Sequence, residues 1–549
     1  MAYKKDLHKR ANFMYQYFTN NNQVNDEWTK NQQKIQETLV RLRNQRSSIC
    51  LDEKAFMALY TRYINLNTNE SINWAHVQPP DACHIKNYDD LCMPAEKDII
   101  SALSKLVIFK FNGDIGKSMN FDGTKSLIKV RNDKSFLEIC LQQIDDLNVK
   151  YNCDVPLVLM NSFKTDQDTE EFLKNMPKTR TQLFTFQQNR FPRLSEETGL
   201  LIPDSCQISG SRDPKCDEGK KWIFLSDIDN LGATPDPAIL CWLEEQEKCD
   251  ATRIDFLMEV AERTSEDKKE GTLILYNGTL KLLDLSQVSE EHVKDIVYSE
   301  QFKIVNTNSI WINIKALQNL LNTRLLEMDL IVNRKTMKNN TRTIQLEEFA
   351  ASAISSFEKA IALKVPRKRM LSVKSISDLL LLRSDIFETN RSGLTLSPRR
   401  KSLDLPIIKL GSRLKSIEDL QRRIPSTPSM INLSHLTLSG DIYFENNVTL
   451  KGSVKILAKN NETIVIPEGT VLENQVAANN PEIPSSGLNG HKESFVPLPS
   501  PKPLNFPSIS NLQNVFVSVS TFELNPWSLA VPRDRHWWMV NTGSSKLAA

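Results

Sequence analysis

Three stretches of the chain carry residue types whose spacing suits phosphate chemistry. The first is KFNGDIGKSMNFDGTKS, Lys110 to Ser126, where Gly113, Gly116 and Gly123 precede Lys125 and Ser126. Glycines let backbone N–H groups approach phosphate oxygens, and a lysine just beyond them adds a point charge. No G-x-x-x-x-G-K-[ST] pattern occurs, so this is not a P-loop, and an ordinary strand-to-helix turn accounts for these residues equally well. The second is FLSDIDNLGAT, Phe224 to Thr234, an apolar run that ends in Asp227 and Asp229. Side chains two apart on a strand share a face, so both carboxylates could reach one hard cation such as Mg²⁺. An Asx turn leaving a sheet is the plainer alternative. The third is VPRKRMLSVKSISDLL, with Arg367, Lys368, Arg369 and Lys374 ahead of a helix. It reads as a phosphate clamp or, as such charge runs more often are, a solvated face.

Elements able to hold these stretches alternate between strand and helix. KLVIFKF, VPLVLMNSF, QLFTFQQ, KWIFLSDID, IDFLMEV, GTLILYNGTLKLLDL and FKIVNTNSIWINI read as strands, with SFLEICLQQIDDLNVKY and DTEEFLKNM as intervening helices. That order predicts an α/β fold, a mostly parallel sheet with helices on both faces. IQLEEFAASAISSFEKAIAL is expected to be an amphipathic helix closing the domain. Residues 1–98 read as a polar helical region and 99–395 as the α/β domain. From Leu433 short aliphatic runs recur between Gly-Asp, Asn-Asn and Glu-Gly turns, which suits either a β-solenoid or an antiparallel meander. Residues 476–549, with PLPSPKPLNFPS, are aperiodic and are expected to be a disordered tail.

Composition narrows the partners. The 549 residues carry 69 basic and 67 acidic groups, a formal charge of +2, so nothing electrostatic calls for nucleic acid or a membrane surface. Nine cysteines without a C-x-x-C pair argue for neither a zinc ribbon nor a disulfide framework. The N-terminus lacks an apolar leader and no run is long enough to span a bilayer, so the expectation is a cytoplasmic protein. Only 17 residues are glycine, sparse for chemistry built on glycine loops.

Taken together, the blocks resemble the eukaryotic UTP–glucose-1-phosphate uridylyltransferase family from about Trp74 to Asn474. Ser126 to Asn132, DVPLVLMNSF at Asp154 to Phe163, IDNLGAT at Ile228 to Thr234, Phe302 to Ile312, IQLE at Ile344 to Glu347 and SDLLL at Ser377 to Leu381 carry the likeness. The resemblance implies a Rossmann-like nucleotidyltransferase domain with a mostly parallel mixed sheet, followed by a C-terminal β-solenoid (a left-handed β-helix) over 396–475. It also implies UTP and glucose 1-phosphate as substrates, Mg²⁺ as cofactor, and homo- or hetero-oligomers formed through the solenoid. Carried over by position, Gly113 and Gly116 belong to the phosphate loop, and Lys125 and Lys374 face the phosphates as catalytic cations. Met160, Asn161, Ser162 and Gln188 line the base pocket, with Asp227 at the nucleotide and Asp229 on the metal. Asn306, Asn308 and Glu347 fall to the sugar phosphate.

The likeness breaks in places. The family loop reads L-N-G-G-L-G-T-S-M-G-C-K-G-P-K-S, so Asp114 and Asn120 stand for glycines, Lys117 for threonine and Asp122 for lysine. A carboxylate about 4 Å from one phosphate charge costs roughly 4 kcal/mol at an effective dielectric of about 20, or roughly a thousandfold in affinity. Lys117 or Mg²⁺ is the expected neutraliser of Asp114. A glycine conformation at 114 would add roughly 1–2 kcal/mol of strain. Seven residues, SRDPKCD, replace a longer histidine-containing segment after Gly210, and Glu270 stands for a glycine. The alternative expectation is therefore a catalytically impaired paralogue that serves as a structural or regulatory subunit.

Overall fold

The structure is a computed structural model and describes residues 26–45, 53–69, 72–189, 191–202, 219–264, 267, 270–288, 290–297, 301–337, 340–390, 393–402, 404–459 and 462–478. The short segment after Gly210 and the tail beyond residue 478 lie outside the described residues. The chain divides into two compact units, the first running through Lys374 and including Phe387–Leu396, the second holding Ser375–Ile386 and the described residues from Ser397 onward.

An eight-stranded sheet organises the first unit. Its strands are β1 (Ile85–Asn87), β2 (Leu106–Asn112), β3 (Leu157–Asn161), β4 (Leu183–Gln187), β5 (Trp222–Asp227), β6 (Phe256–Glu262), β7 (Ile304–Asn313) and β8 (Ala360–Lys364). They lie in the order β1-β8-β6-β7-β5-β2-β3-β4. All neighbours are parallel except β7, which runs antiparallel to both β6 and β5. Alternation along β2 shows why the sheet is buried on both faces. Leu106 and Ile108 enter a core with Leu137, Ile144, Leu240 and Leu243 from the helices Phe136–Tyr151 and Pro237–Gln246. Val107 and Phe111 enter the opposite core with Met160, Phe186 and Leu225. Both of those helices start where the sequence says they should. Ser135 and Glu138 form a reciprocal capping box, and Asp236 caps a helix whose first residue is Pro237.

Three expectations need correcting. The stretch Ile344 to Leu363 is not a helix: Arg342–Glu348 is a strand, Ala350–Ser356 a 3₁₀ turn, and Ala360–Lys364 is β8. Its apolar residues are claimed by two different sheets. Ile344 and Leu346 pack with Ile35, Leu39, Phe56 and Tyr60 of the N-terminal helices, while Ala360 to Lys364 pairs with β6. The Thr272–Tyr276 and Thr279–Leu283 pair is a hairpin outside the main sheet, joined by Asn277 and Gly278 at φ 52° and 79°.

The largest correction concerns the C-terminal β-solenoid. In the second unit, β9 (Ile407–Leu410), β10 (Ser429–Ser439), β12 (Thr449–Leu457), β14 (Val471–Glu473) and β15 (Val476–Ala478) form one parallel five-stranded sheet. A separate parallel pair is made by β11 (Asp441–Phe444) and β13 (Thr463–Ile466). Strand lengths run from 11 residues in β10 to 3 in β14, and the β10–β12 register slips twice. Irregular strands of this kind make small separate sheets and not the repeating coil that the family resemblance implied.

Candidate active site

The C-terminal ends of β2, β3, β4 and β5 lie side by side, with Phe111 opposite Asp227, Asn112 opposite Asn161 and Asn161 opposite Gln187. Ligands of open α/β sheets bind at this edge. The loop after β2 folds back on itself here. Ile115 bridges Thr124, the Gly116 N–H donates to the Gly123 carbonyl at 3.1 Å, and the Lys125 N–H donates to the Asp114 carbonyl at 3.0 Å. A Cβ on Gly116 would stand 2.7 Å from Phe121, so the bend tolerates no side chain there. The strain expected at Asp114 is absent: the left-handed residue of the loop is Asn120 at φ 49°, a residue type that accepts that conformation.

Closing the loop brings charge together. The Lys125 ammonium, 4% exposed, pairs with Asp114 Oδ2 at 2.8 Å and Asp229 Oδ2 at 2.6 Å. Burial works to lower the Lys125 pKa, but Asp229 and Asp114 outweigh it and hold the group above its ordinary value. Burial pushes the Asp114 carboxyl up, against the pull of Lys125. The sequence pointed to Lys117 as the neutraliser of Asp114; the structure assigns that part to Lys125, the residue expected at the triphosphate.

Asp227, at the end of β5, is pushed up to about 7 by burial and then by neighbouring Asp229. Its Oδ2 accepts the side-chain N–H of Asn308 at 2.9 Å. Asn308 reaches it through a bulge. Glu259 pairs with Ser309 and Val260 with Asn306, leaving Thr307 and Asn308 outside the ladder. The Thr307 hydroxyl donates to the Glu259 carbonyl at 2.8 Å, and Asn308 takes φ 60°. An extra pair of residues here turns a ladder position toward the cleft.

Lys374 meets Glu270 Oε1 at 2.7 Å. Burial lowers its pKa, but Glu270, Asp227 and Asp229 together raise it above the ordinary value, which places Lys374 in the same electrostatic cluster as Asp227 and Asp229. The other cations of that basic stretch go elsewhere. Arg367 pairs with Asp267 at 2.9 Å. Arg369, 4% exposed, donates to both carboxylate oxygens of Glu259 at 2.6 and 2.7 Å and to the Thr234 carbonyl at 2.9 Å. Glu259 also accepts from the Trp311 indole at 2.9 Å. Arg369 is therefore a buried pin and not part of a phosphate clamp.

That pin explains the run IDNLGAT. Asn230 accepts the Leu371 N–H at 2.8 Å and donates to the Arg369 carbonyl at 3.2 Å. A Cβ on Gly232 would stand 2.4 Å from the Lys368 carbonyl oxygen, so only glycine allows the two segments this close. Asp229 and Lys374 are held in mutual position by the backbone docked between them.

Other expected residues sort by burial. Gly113 presents its bare Cα to Gln188 and Ser162, whose atoms would lie 3.3 and 3.5 Å from an added Cβ. These three residues lie together at the end of β2. Met160 is fully buried among core side chains, and Asn161 is consumed by Asn112 at 2.8 Å and Asp166 at 2.8 Å. Both are therefore taken up by the interior of the protein. Asn306 lies 8% exposed at the start of β7, its carboxamide oxygen accepting the Asn308 N–H at 3.0 Å. Glu347 is buried on the separate sheet of Leu330–Thr336, Arg342–Glu348 and Leu194–Ser195. Sequence reasoning missed the positioning role of Glu259, which sits in an apolar run with no local signal. A metal-capable trio, Asp81, Cys83 and His84, lies on an exposed turn ahead of β1, at the opposite edge of the sheet.

A glycine loop, two buried aspartates and two lysines beside the strand ends of a Rossmann-like sheet suit the nucleotidyltransferase class. Comparison with known proteins narrows the class. The family profile described as UTP--glucose-1-phosphate uridylyltransferase matches residues 53–214 and 204–451. A UTP--glucose-1-phosphate uridylyltransferase of Saccharomyces cerevisiae is 37% identical over 452 residues, covering 78% of this chain and 89% of the relative. One from Hordeum vulgare is 39% identical over 446 residues, covering 77% and 93%. A crystal structure of UDP-glucose phosphorylase from Trypanosoma brucei superposes with a TM-score of 0.69 at 26% identity, covering 83% of this chain and 100% of that one. A UDP-glucose pyrophosphorylase mutant from Leishmania major, solved with UDP-glucose, gives 0.69 at 25% identity, with 82% and 99% covered. The chain belongs to the UTP–glucose-1-phosphate uridylyltransferase family.

Proposed function

We propose that this protein transfers the uridylyl group of UTP to glucose 1-phosphate, giving UDP-glucose and pyrophosphate. The observation that carries the reading is the convergence of Lys125, Lys374, Asp227 and Asp229 on the strand edge beside the glycine loop. In this reaction a phosphate oxygen of the sugar phosphate attacks the α-phosphorus of UTP and pyrophosphate departs in line. Little covalent chemistry falls to the protein, so rate comes from alignment and from neutralising charge.

Each residue then has a part. Gly113, Ser162 and Gln188 receive the uracil, with Met160 and Asn161 fixing the wall behind them. Gly116 keeps the loop open to phosphate, and Lys125 and Lys374 meet the phosphates. Asn306, Asn308 and Glu347 serve the glucosyl phosphate. The donor set fits a hard divalent cation, since Asp227 and Asp229 are neighbouring carboxylate oxygen donors, with Lys125 the resident cation that it would displace from Asp229. Asp229, assisted by Asp227, would hold Mg²⁺, which supplies charge neutralisation to the triphosphate when bound. Among the described residues no helix is long and apolar enough to cross a membrane, and we place the activity in the cytoplasm.

A second reading, a weakened family member that assembles with active subunits, is favoured by one observation: carboxylates already occupy both phosphate lysines. Pyrophosphate release from UTP and glucose 1-phosphate decides between them. The first reading expects Mg²⁺-dependent turnover. Absence of turnover, together with co-purification of an active family subunit, would establish the second.

A further inference from the structure

Two carboxylates pair with the lysines that the proposed function assigns to phosphate. Asp114 Oδ2 lies 2.8 Å from Lys125 Nζ, and Glu270 Oε1 lies 2.7 Å from Lys374 Nζ. They come from unrelated parts of the chain, one in the loop after β2 and the other just ahead of the Thr272–Tyr276 strand. Each stands where the family pattern quoted above has a glycine. Among the described residues, the ammonium groups of Lys125 and Lys374 thus stand among the carboxyl groups of Asp114, Asp227, Asp229 and Glu270, with the buried Lys110 ammonium also within electrostatic reach of Asp227 and Asp229. An incoming polyphosphate meets lysines whose charge is already matched, and it brings its own charge beside the carboxylates.

We propose that Asp114 and Glu270 are specificity-determining counter-anions that select against phosphate charge, so that the cleft favours uridine nucleotides carrying few phosphate charges, a nucleoside diphosphate sugar above a nucleoside triphosphate. The inference rests on the nucleotide-binding reading of this cleft. Base and ribose contacts through Gly113, Ser162 and Gln188 supply most of the affinity, and each added phosphate contributes little.

The two pairs differ in strength. Lys125 is 4% exposed and held by two carboxylates, so its interaction with Asp114 is weakly screened. Lys374 is 43% exposed, and an exposed pair of this kind is worth little. Asp114 is the dominant selector and Glu270 the minor one. Loop closure adds to the difference, because the Lys125 N–H to Asp114 carbonyl bond and the Ile115–Thr124 bridge fix the two side chains face to face.

The test is calorimetric titration of the full chain with UMP, UDP, UTP and UDP-glucose at fixed ionic strength and without added divalent cation. In the unsubstituted protein, affinity is expected to stay level or fall by up to about threefold from UMP to UTP, with UDP-glucose the tightest ligand. Asp114→Asn, which keeps the side-chain shape, is expected to tighten UTP by about tenfold or more while leaving UMP within about threefold. Glu270→Gln should tighten UTP by about threefold or less. If affinity instead climbs by tenfold or more with each added phosphate and neither variant alters that slope, the counter-anion proposal is overturned. If no uridine compound, UMP included, binds to either the unsubstituted protein or the variants, the nucleotide reading beneath it falls as well.

Discussion

Asn230 and Leu371 are joined by a 2.8 Å hydrogen bond from the Leu371 N–H to the Asn230 carboxamide oxygen, and this bond couples the aspartate-bearing turn to the segment that ends in Lys374. The Asn230 side-chain N–H in turn donates to the Arg369 carbonyl at 3.2 Å. Asp229 and Lys374 are therefore positioned together, by backbone contacts that neither charge makes itself.

Gly232→Ala tests that coupling. The new Cβ would meet the Lys368 carbonyl oxygen at 2.4 Å, so the two segments must separate. We expect a loss of about 1–3 kcal/mol in urea unfolding, with a drop in kcat larger than any rise in KM for UTP. Unchanged stability and turnover would show that the segments are not tightly docked.

The buried pin beneath them gives a second prediction. Glu259→Gln leaves the Arg369 guanidinium, 4% exposed, with half its charge partnering removed. Breaking a buried pair from one side costs about 3–5 kcal/mol. Thermal unfolding should fall accordingly, and replacing both residues with apolar ones of similar volume should recover much of the loss. A neutral single variant would mean that Asp236, 3.5 Å from the same guanidinium, suffices.

How far the sequence carried this account varies by residue. The alternation of β2, and the aspartates at and just beyond the end of β5, were readable, because a strand buried on both faces and a polar terminus leave plain local patterns. The partner of Asp114 was not. It lies eleven positions on, and only the closing of the loop onto the Ile115–Thr124 bridge brings Lys125 to it. The Ile344 to Leu363 stretch carries a helical spacing that two separate sheets override, since pairing with β6 and packing on the N-terminal helices outweigh propensity. The turns near the C-terminus likewise said nothing of strand length, and the solenoid that the family resemblance implied is absent.

Stability should depend on pH through Glu244. It joins the Lys105 ammonium, accepts the Trp222 indole N–H at 2.8 Å and lies 3.5 Å from Lys221. Burial alone would raise its pKa, but Lys105 and Trp222 bonding overcome this and leave it lowered from 4.5. A depressed carboxyl contributes stability above its unfolded pKa and loses it as pH falls through the folded value. Glu244→Gln should therefore lower the melting temperature at pH 7, by an amount that shrinks steadily as the pH drops below about 4.5. A gap between the two proteins that stays constant down to acid pH would contradict this.

Lys125→Met probes the loop. Removing the ammonium leaves Asp114 and Asp229 facing each other without their shared cation. We expect turnover to fall by about a hundredfold or more, on the scale of losing one charge-stabilising group, and UTP affinity to fall with it. Lys125→Arg should recover little, because the planar guanidinium does not replace a compact ammonium between two carboxylates.

The measurement that bears most directly on the central claim is pyrophosphate release from UTP and glucose 1-phosphate in Mg²⁺, run side by side on the unsubstituted protein and Asp114→Asn. The account predicts release that requires both substrates, with a KM for UTP that falls about tenfold or more when Asp114 is neutralised. No release from either protein, under conditions where a family relative turns over, would contradict it.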